Sequence, residues 1–101
     1  MSASGTEAID QEIAQEKAES LGLAGRLLEA ALSALRDYDA SARAQSDLSG
    51  TIREDLVARA AYRVQNVIIQ QESLGLRDPN YVLRFYSVPP EIVARIGARP
   101  R

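Results

Sequence analysis

The chain reads as an all-α protein: a long antiparallel helical hairpin with two short C-terminal helices packed on an overhang of the first helix. Two apolar stripes and the break between them predict it. Leu21, Ala24, Leu28, Ala31, Leu35 and Tyr38 recur at spacings of three and four. Val57, Ala60, Val64, Val67 and Leu74 do the same, with Gln71 in the slot between the last two. Residues three and four apart lie on one side of a helix, so each stripe must be buried, and each is the nearest cover for the other. Between them, residues 40–50 lose the periodicity and collect small polar side chains. All 101 residues are taken as one helical domain.

The first helix spans about residues 7–39. Ser4-Gly-Thr-Glu7 has the form of a capping box, and Glu7, Asp10 and Glu12 crowd the first turns, as the helix dipole prefers. Gly22 and Gly25 sit inside it, where glycine costs ~1 kcal/mol relative to alanine. Gly25 falls beside the buried stripe, which suits close approach of a neighbour; a tolerated weak point is the alternative. Residues 40–50 are expected to form the hairpin loop, with room for a helical first turn. A second capping box, Thr51-Ile-Arg-Glu54, opens the second helix, about 51–74. Gly75 suits the left-handed position that ends it, and Leu76 the apolar contact that follows.

Asp78-Pro79 starts a third helix, about 79–86, with Asp78 as N-cap and Pro79 where a missing amide hydrogen does no harm. Ser87-Val-Pro-Pro90 breaks it and restarts a fourth, about 90–96, stopped by Gly97; Ala98 to Arg101 should fray. The hairpin register sets residue 74 opposite roughly residue 18, leaving Ile9 and Ile13 on an overhang. Val82, Phe85, Ile92, Val93 and Ile96 also lack cover, so the short helices are expected to close over that overhang.

Composition excludes more than it includes. Hydrophobic residues make up 46% and charged residues 26%, an ordinary globular profile. The absence of Cys removes disulfides, thiolate metal sites and thiol nucleophiles. The absence of His removes the side chain best suited to proton transfer near neutral pH and the commonest metal ligand. No run approaches the ~20 apolar residues that span a bilayer, and the N-terminus carries no signal-peptide pattern, so a cytoplasmic protein is expected. Charge is uneven: residues 1–50 hold four basic and nine acidic side chains, net −5, and residues 77–101 five and two, net +3. The plain reading is solvated helix faces of different sign; the alternative is attraction between opposed ends, head to tail or within one folded chain.

Three groups of residues are candidates for function. Lys17 and Gln71 project onto the buried faces of their helices at the same end of the hairpin. A buried polar group needs a partner, so either they line a small polar pocket, or Lys17 reaches outward and Gln71 binds loop backbone. Tyr62 and Ile69, seven residues apart on the back of the second helix, are candidates for the centre of an oligomer contact, joined by Leu23; isolated exposed apolar residues are the plain alternative. The C-terminal segment invites comparison with a DNA-reading helix-turn-helix, in which Arg84, Arg95, Arg99 and Arg101 would contact phosphates. Against that, its last helix is barely two turns long, starts on paired prolines and carries no base-reading Asn, Gln or Lys. The segment is read as a clasp closing the bundle.

Ile13-Ala-Gln-Glu-Lys-Ala-Glu-Ser-Leu-Gly-Leu-Ala-Gly-Arg26, Ile69-Gln-Gln-Glu-Ser-Leu-Gly-Leu-Arg-Asp78 and Tyr86-Ser-Val-Pro-Pro-Glu-Ile-Val-Ala-Arg-Ile-Gly97 together resemble a family of short bacterial helical proteins of unknown function. The resemblance implies a bacterial, cytoplasmic protein and carries no activity, cofactor or catalytic residue. With no catalytic, metal or cofactor-binding residue assigned, the expected function is non-enzymatic: a protein–protein interaction module that binds itself first, as a homodimer. A nucleic-acid accessory role for the arginine-rich end is the alternative.

Overall fold

The computed structural model describes the backbone of residues 4–97 and the side chains from residue 7 onward. Five helices follow in order: α1 (Ser4–Asp39), α2 (Ala42–Ser46), α3 (Thr51–Ser73), α4 (Pro79–Phe85) and α5 (Pro90–Val93). No strand occurs among the described residues. α1 and α3 pack as the antiparallel hairpin, and the molecule is a rod of 68 × 25 × 21 Å. The 40–50 segment holds the short helix α2, the helical turn that the sequence allowed at the start of the loop.

The core is one cluster. α1 supplies Leu28, Ala31, Leu32 and Leu35; α3 supplies Val57, Ala60, Ala61, Val64 and Val67; α4 adds Val82 and α5 adds Ile92. Ala31 with Leu32, and Ala60 with Ala61, are consecutive and all buried. Neighbours in sequence point about 100° apart on a helix, so each long helix buries a face wider than one hairpin seam. The extra width lies under the C-terminal arm.

That arm does not cover the overhang, and this corrects the expectation for where it docks. α4 and α5 pack chiefly on α3, and α5 reaches the loop end of the hairpin, where Glu91 meets Arg53 and Arg95 meets Glu54. Ile9 and Ile13 stay 57% and 45% exposed. The turn after α3 sends the chain back along the hairpin, and the reason it stays there is geometric. A residue such as Val82 or Ile92 is fully buried against the body of a packed pair, whereas the overhang offers only one helix face. Phe85, expected in the core, is 63% exposed. It stacks on Tyr81 with centroids 5.7 Å apart and meets Tyr86 edge-on at 4.9 Å.

The caps are made differently from the capping boxes expected. Helix α3 begins one residue earlier in role: Gly50, at φ +70°, is the N-cap, and Thr51 is already helical. The free amides are served from the loop. Asp47 accepts from the Ile52 amide at 3.2 Å, and the Ser49 hydroxyl accepts from the Thr51 amide at 3.2 Å. Asp47 also accepts from the Tyr38 hydroxyl at 2.8 Å, which ties the end of α1 to the start of α3. Asp78 occupies the N-cap position of α4 but makes no capping bond; its carboxylate lies 3.6 Å from Arg84. Helix α1 already includes Ser4, whose side chain lies outside the described residues.

The end of α3 follows the sequence expectation. Gly75 has φ +84°, its amide donates to Glu72 O at 2.9 Å, and the Leu76 amide donates to Gln71 O at 2.9 Å. These two bonds are a Schellman cap. α4 ends the same way on a non-glycine residue. Ser87 sits at φ +52° and donates to Arg84 O, while Val88 donates to Leu83 O.

Candidate protein interface

Among the described residues, the C-terminal arm fills the groove on one side of the hairpin and leaves the groove on the other side open. On the filled side, Tyr86 at the end of α4 reaches α1 at Gly25, where a Cβ would run into its hydroxyl. Gly25 is therefore a point of close approach, as its position beside the stripe suggested, with an aromatic ring as the neighbour. Gly22 is open by comparison, facing only the Arg26 guanidinium at 3.5 Å. Burial raises the pKa of the Tyr86 hydroxyl, and the nearby charge of Glu29 adds to that.

The other groove is open. It is a cleft of about 300 Å³ lined by Ser20, Leu23, Ala24 and Leu27 of α1 and by Arg63, Asn66 and Gln70 of α3. Leu23 is 51% and Leu27 36% exposed. Of the three residues singled out from sequence as interface, Leu23 lines this groove. Tyr62 adjoins it through Arg63, whose guanidinium lies 5.6 Å from the Tyr62 ring centroid. Ile69 is exposed on α3 but is not part of the lining. Leu27 was missed from sequence because it adjoins Leu28, and one apolar face had already been assigned to α1.

Lys17 and Gln71 lie at the same end of the hairpin, where the contacts described for each are different. The Lys17 ammonium donates to Ser73 O at 3.3 Å, satisfying one of the free carbonyls at the end of α3. Gln71 lines an open cleft of about 370 Å³ with Leu76, Arg77, Asp78 and Tyr81. Its backbone carbonyl is the acceptor for Leu74 and Leu76.

Two of the arginines considered for phosphate contact are described, and each has an acidic neighbour. Arg84 pairs with Asp78 and Arg95 with Glu54; Arg99 and Arg101 lie outside the described residues. Arg53, which no sequence motif marked, makes four hydrogen bonds to two carboxylates. Its guanidinium donates to Glu91 at 2.7 and 2.8 Å and to Asp39 at 2.8 and 3.1 Å, joining α5, α3 and the end of α1. The hydrogen bonds from Arg53 hold both carboxyl groups below their ordinary pKa, and the two carboxylates, Glu91 foremost, raise that of Arg53. The hydrogen bond from Tyr38 likewise lowers Asp47.

Among the described residues, no group of three or more metal-ligating side chains converges, and no helix is long and apolar enough to cross a membrane. What the fold defines is a small all-α protein, a helical hairpin with one groove sealed by its own C-terminal arm and one left open. The chain belongs to a family of unknown function (DUF6665), whose model matches residues 1–101. No curated protein and no solved structure matches it.

Proposed function

We propose that this protein acts by binding protein, its own copy first, and not by catalysis. The observation that carries the reading is the open groove with the bare overhang beside it. Ile9, Ile13, Leu23 and Leu27 all lie exposed on α1. Aligned apolar side chains on one helix face are an unfilled interface far more than scattered surface residues are. A chain of this size also buries a smaller share of its surface than a larger domain, and association makes up burial.

Sedimentation equilibrium from about 1 to 100 µM, a range bracketing micromolar affinities, tests the reading. The expected result is a reversible dimer that Leu23→Glu weakens by tenfold or more. A strict monomer across the range sinks it. Tyr62→Glu and Ile69→Glu map how far the contact spreads over α3: Tyr62, next to Arg63, is expected to matter more than Ile69.

A further inference from the structure

We propose that two copies pair through α1 in antiparallel register, the Ile9–Ile13 overhang of each lying in the open Leu23–Leu27 groove of the other. The proposal rests on the self-association reading above and adds to it the face, the direction and the register.

The face comes from a second periodicity on α1. Ile9, Ile13, Glu16, Ser20, Leu23 and Leu27 alternate spacings of four and three, the repeat of seam positions in paired helices. This stripe is offset from the hairpin stripe; Leu27 and Leu28 point about 100° apart. α3 therefore leaves it free. Its four apolar members are 57%, 45%, 51% and 36% exposed.

The direction and register come from the symmetry of that stripe. It reads the same from either end about residue 18: Ile9 and Leu27 are equidistant from it, as are Ile13 and Leu23, and Glu16 and Ser20. An interface between two identical copies related by a two-fold axis needs this self-complementarity. Antiparallel pairing on that centre sets Ile9 against the partner's Leu27 and Ile13 against the partner's Leu23, twice over. Parallel pairing would stack like on like and set the two acidic overhangs, with Glu7, Asp10, Glu12 and Glu16, side by side. Glu16 and Ser20 form a polar layer at the axis, a device that fixes register at a cost in affinity.

Charge selects the same occupant. The overhang carries Glu7, Asp10, Glu12 and Glu16 before its first basic residue, Lys17. The groove it would enter is walled by Arg63, and Glu12 comes opposite the partner's Arg26 on the outer flank of the stripe. Among the described residues, neither Arg26 nor Arg63 is engaged in an ion pair. An acidic overhang is repelled by an anionic lipid surface or a nucleic acid, so a second copy is the occupant that fits.

The chain has no cysteine, so introduced ones report cleanly. The full chain carrying both Ile13→Cys and Leu23→Cys is expected to form a covalent dimer on mild oxidation, because the two positions face each other across the pair within disulfide reach. Ile13→Cys alone and Leu23→Cys alone are expected to give little. Singles that cross-link as well as the double overturn the antiparallel register. A protein that is dimeric by sedimentation yet fails to cross-link in the double variant overturns the interface while the self-association reading stands. A monomer overturns both. Independently, Glu12→Arg is expected to weaken the dimer several-fold, and adding Arg26→Glu to restore it; a double swap no tighter than the single one also overturns the register.

Discussion

At the scale of single residues, the two glycines inside α1 show how neighbours decide the sign of a substitution. Gly22 faces open space beyond one flexible guanidinium, so Gly22→Ala should gain about the full helix-propensity difference, roughly 1 kcal/mol. Gly25 is in contact with Tyr86, so Gly25→Ala must displace that ring and should lower the melting temperature. Tyr86→Phe removes the hydroxyl that a Cβ would meet, so Gly25→Ala should cost less in that background, a coupling a thermal double-mutant cycle measures. Ser87 holds a left-handed conformation on an exposed turn. Ser87→Gly should therefore stabilise by about 1 kcal/mol, read in chemical denaturation. The sequence made the glycine at 75 legible because it stands where a regular stripe stops. Ser87 was not legible: nothing in its neighbours marks a residue made left-handed by the closing bonds of α4.

At the scale of elements, the helices were legible and their docking was not. A stripe at spacings of three and four reports that a face is buried; it does not report against what. Leu28, Leu35, Val57 and Val64 thus fell where expected, while α4 and α5 were assigned to the wrong end of α1. What holds the arm at the loop end is partly the Arg53 fork, a four-bond arrangement among residues 39, 53 and 91 that no local pattern reveals. Its pH dependence has a definite sign. Asp39 and Glu91 have lowered pKa in the folded protein, so their contribution is complete above the ordinary carboxylate range near pH 4 and is lost as pH falls below it. Arg53→Met should lower the melting temperature at pH 7, and the gap to the parent should narrow on acidification. The side chains are over a third exposed, so the gap should be modest and shrink in high salt. Ile92→Ala, by contrast, empties a fully buried site and should cost ~2–5 kcal/mol at any pH, while Phe85→Ala should cost far less.

At the scale of the whole molecule, the fold and the association separate cleanly. The core of α1, α3, α4 and α5 is complete within one chain, so a monomer has its own melting transition. In the proposed dimer, Ile9, Ile13, Leu23 and Leu27, none of them a core residue, would stabilise only through a second copy. Association adds to apparent stability by mass action, about 1.4 kcal/mol per dimer for each tenfold rise in concentration above the dissociation constant. The melting temperature should therefore climb with protein concentration by a few degrees per decade. Leu23→Glu should abolish the climb yet leave the melting temperature of the dilute protein unchanged, because Leu23 is half exposed and takes no part in the core. Glu16→Leu should do the reverse, turning the polar layer at the axis apolar and shifting the onset of the climb to lower concentration without changing its slope. A core variant such as Val64→Ala should lower the melting temperature equally at every concentration. Concentration series on these three variants thus separate a residue that holds the chain together from one that holds two chains together.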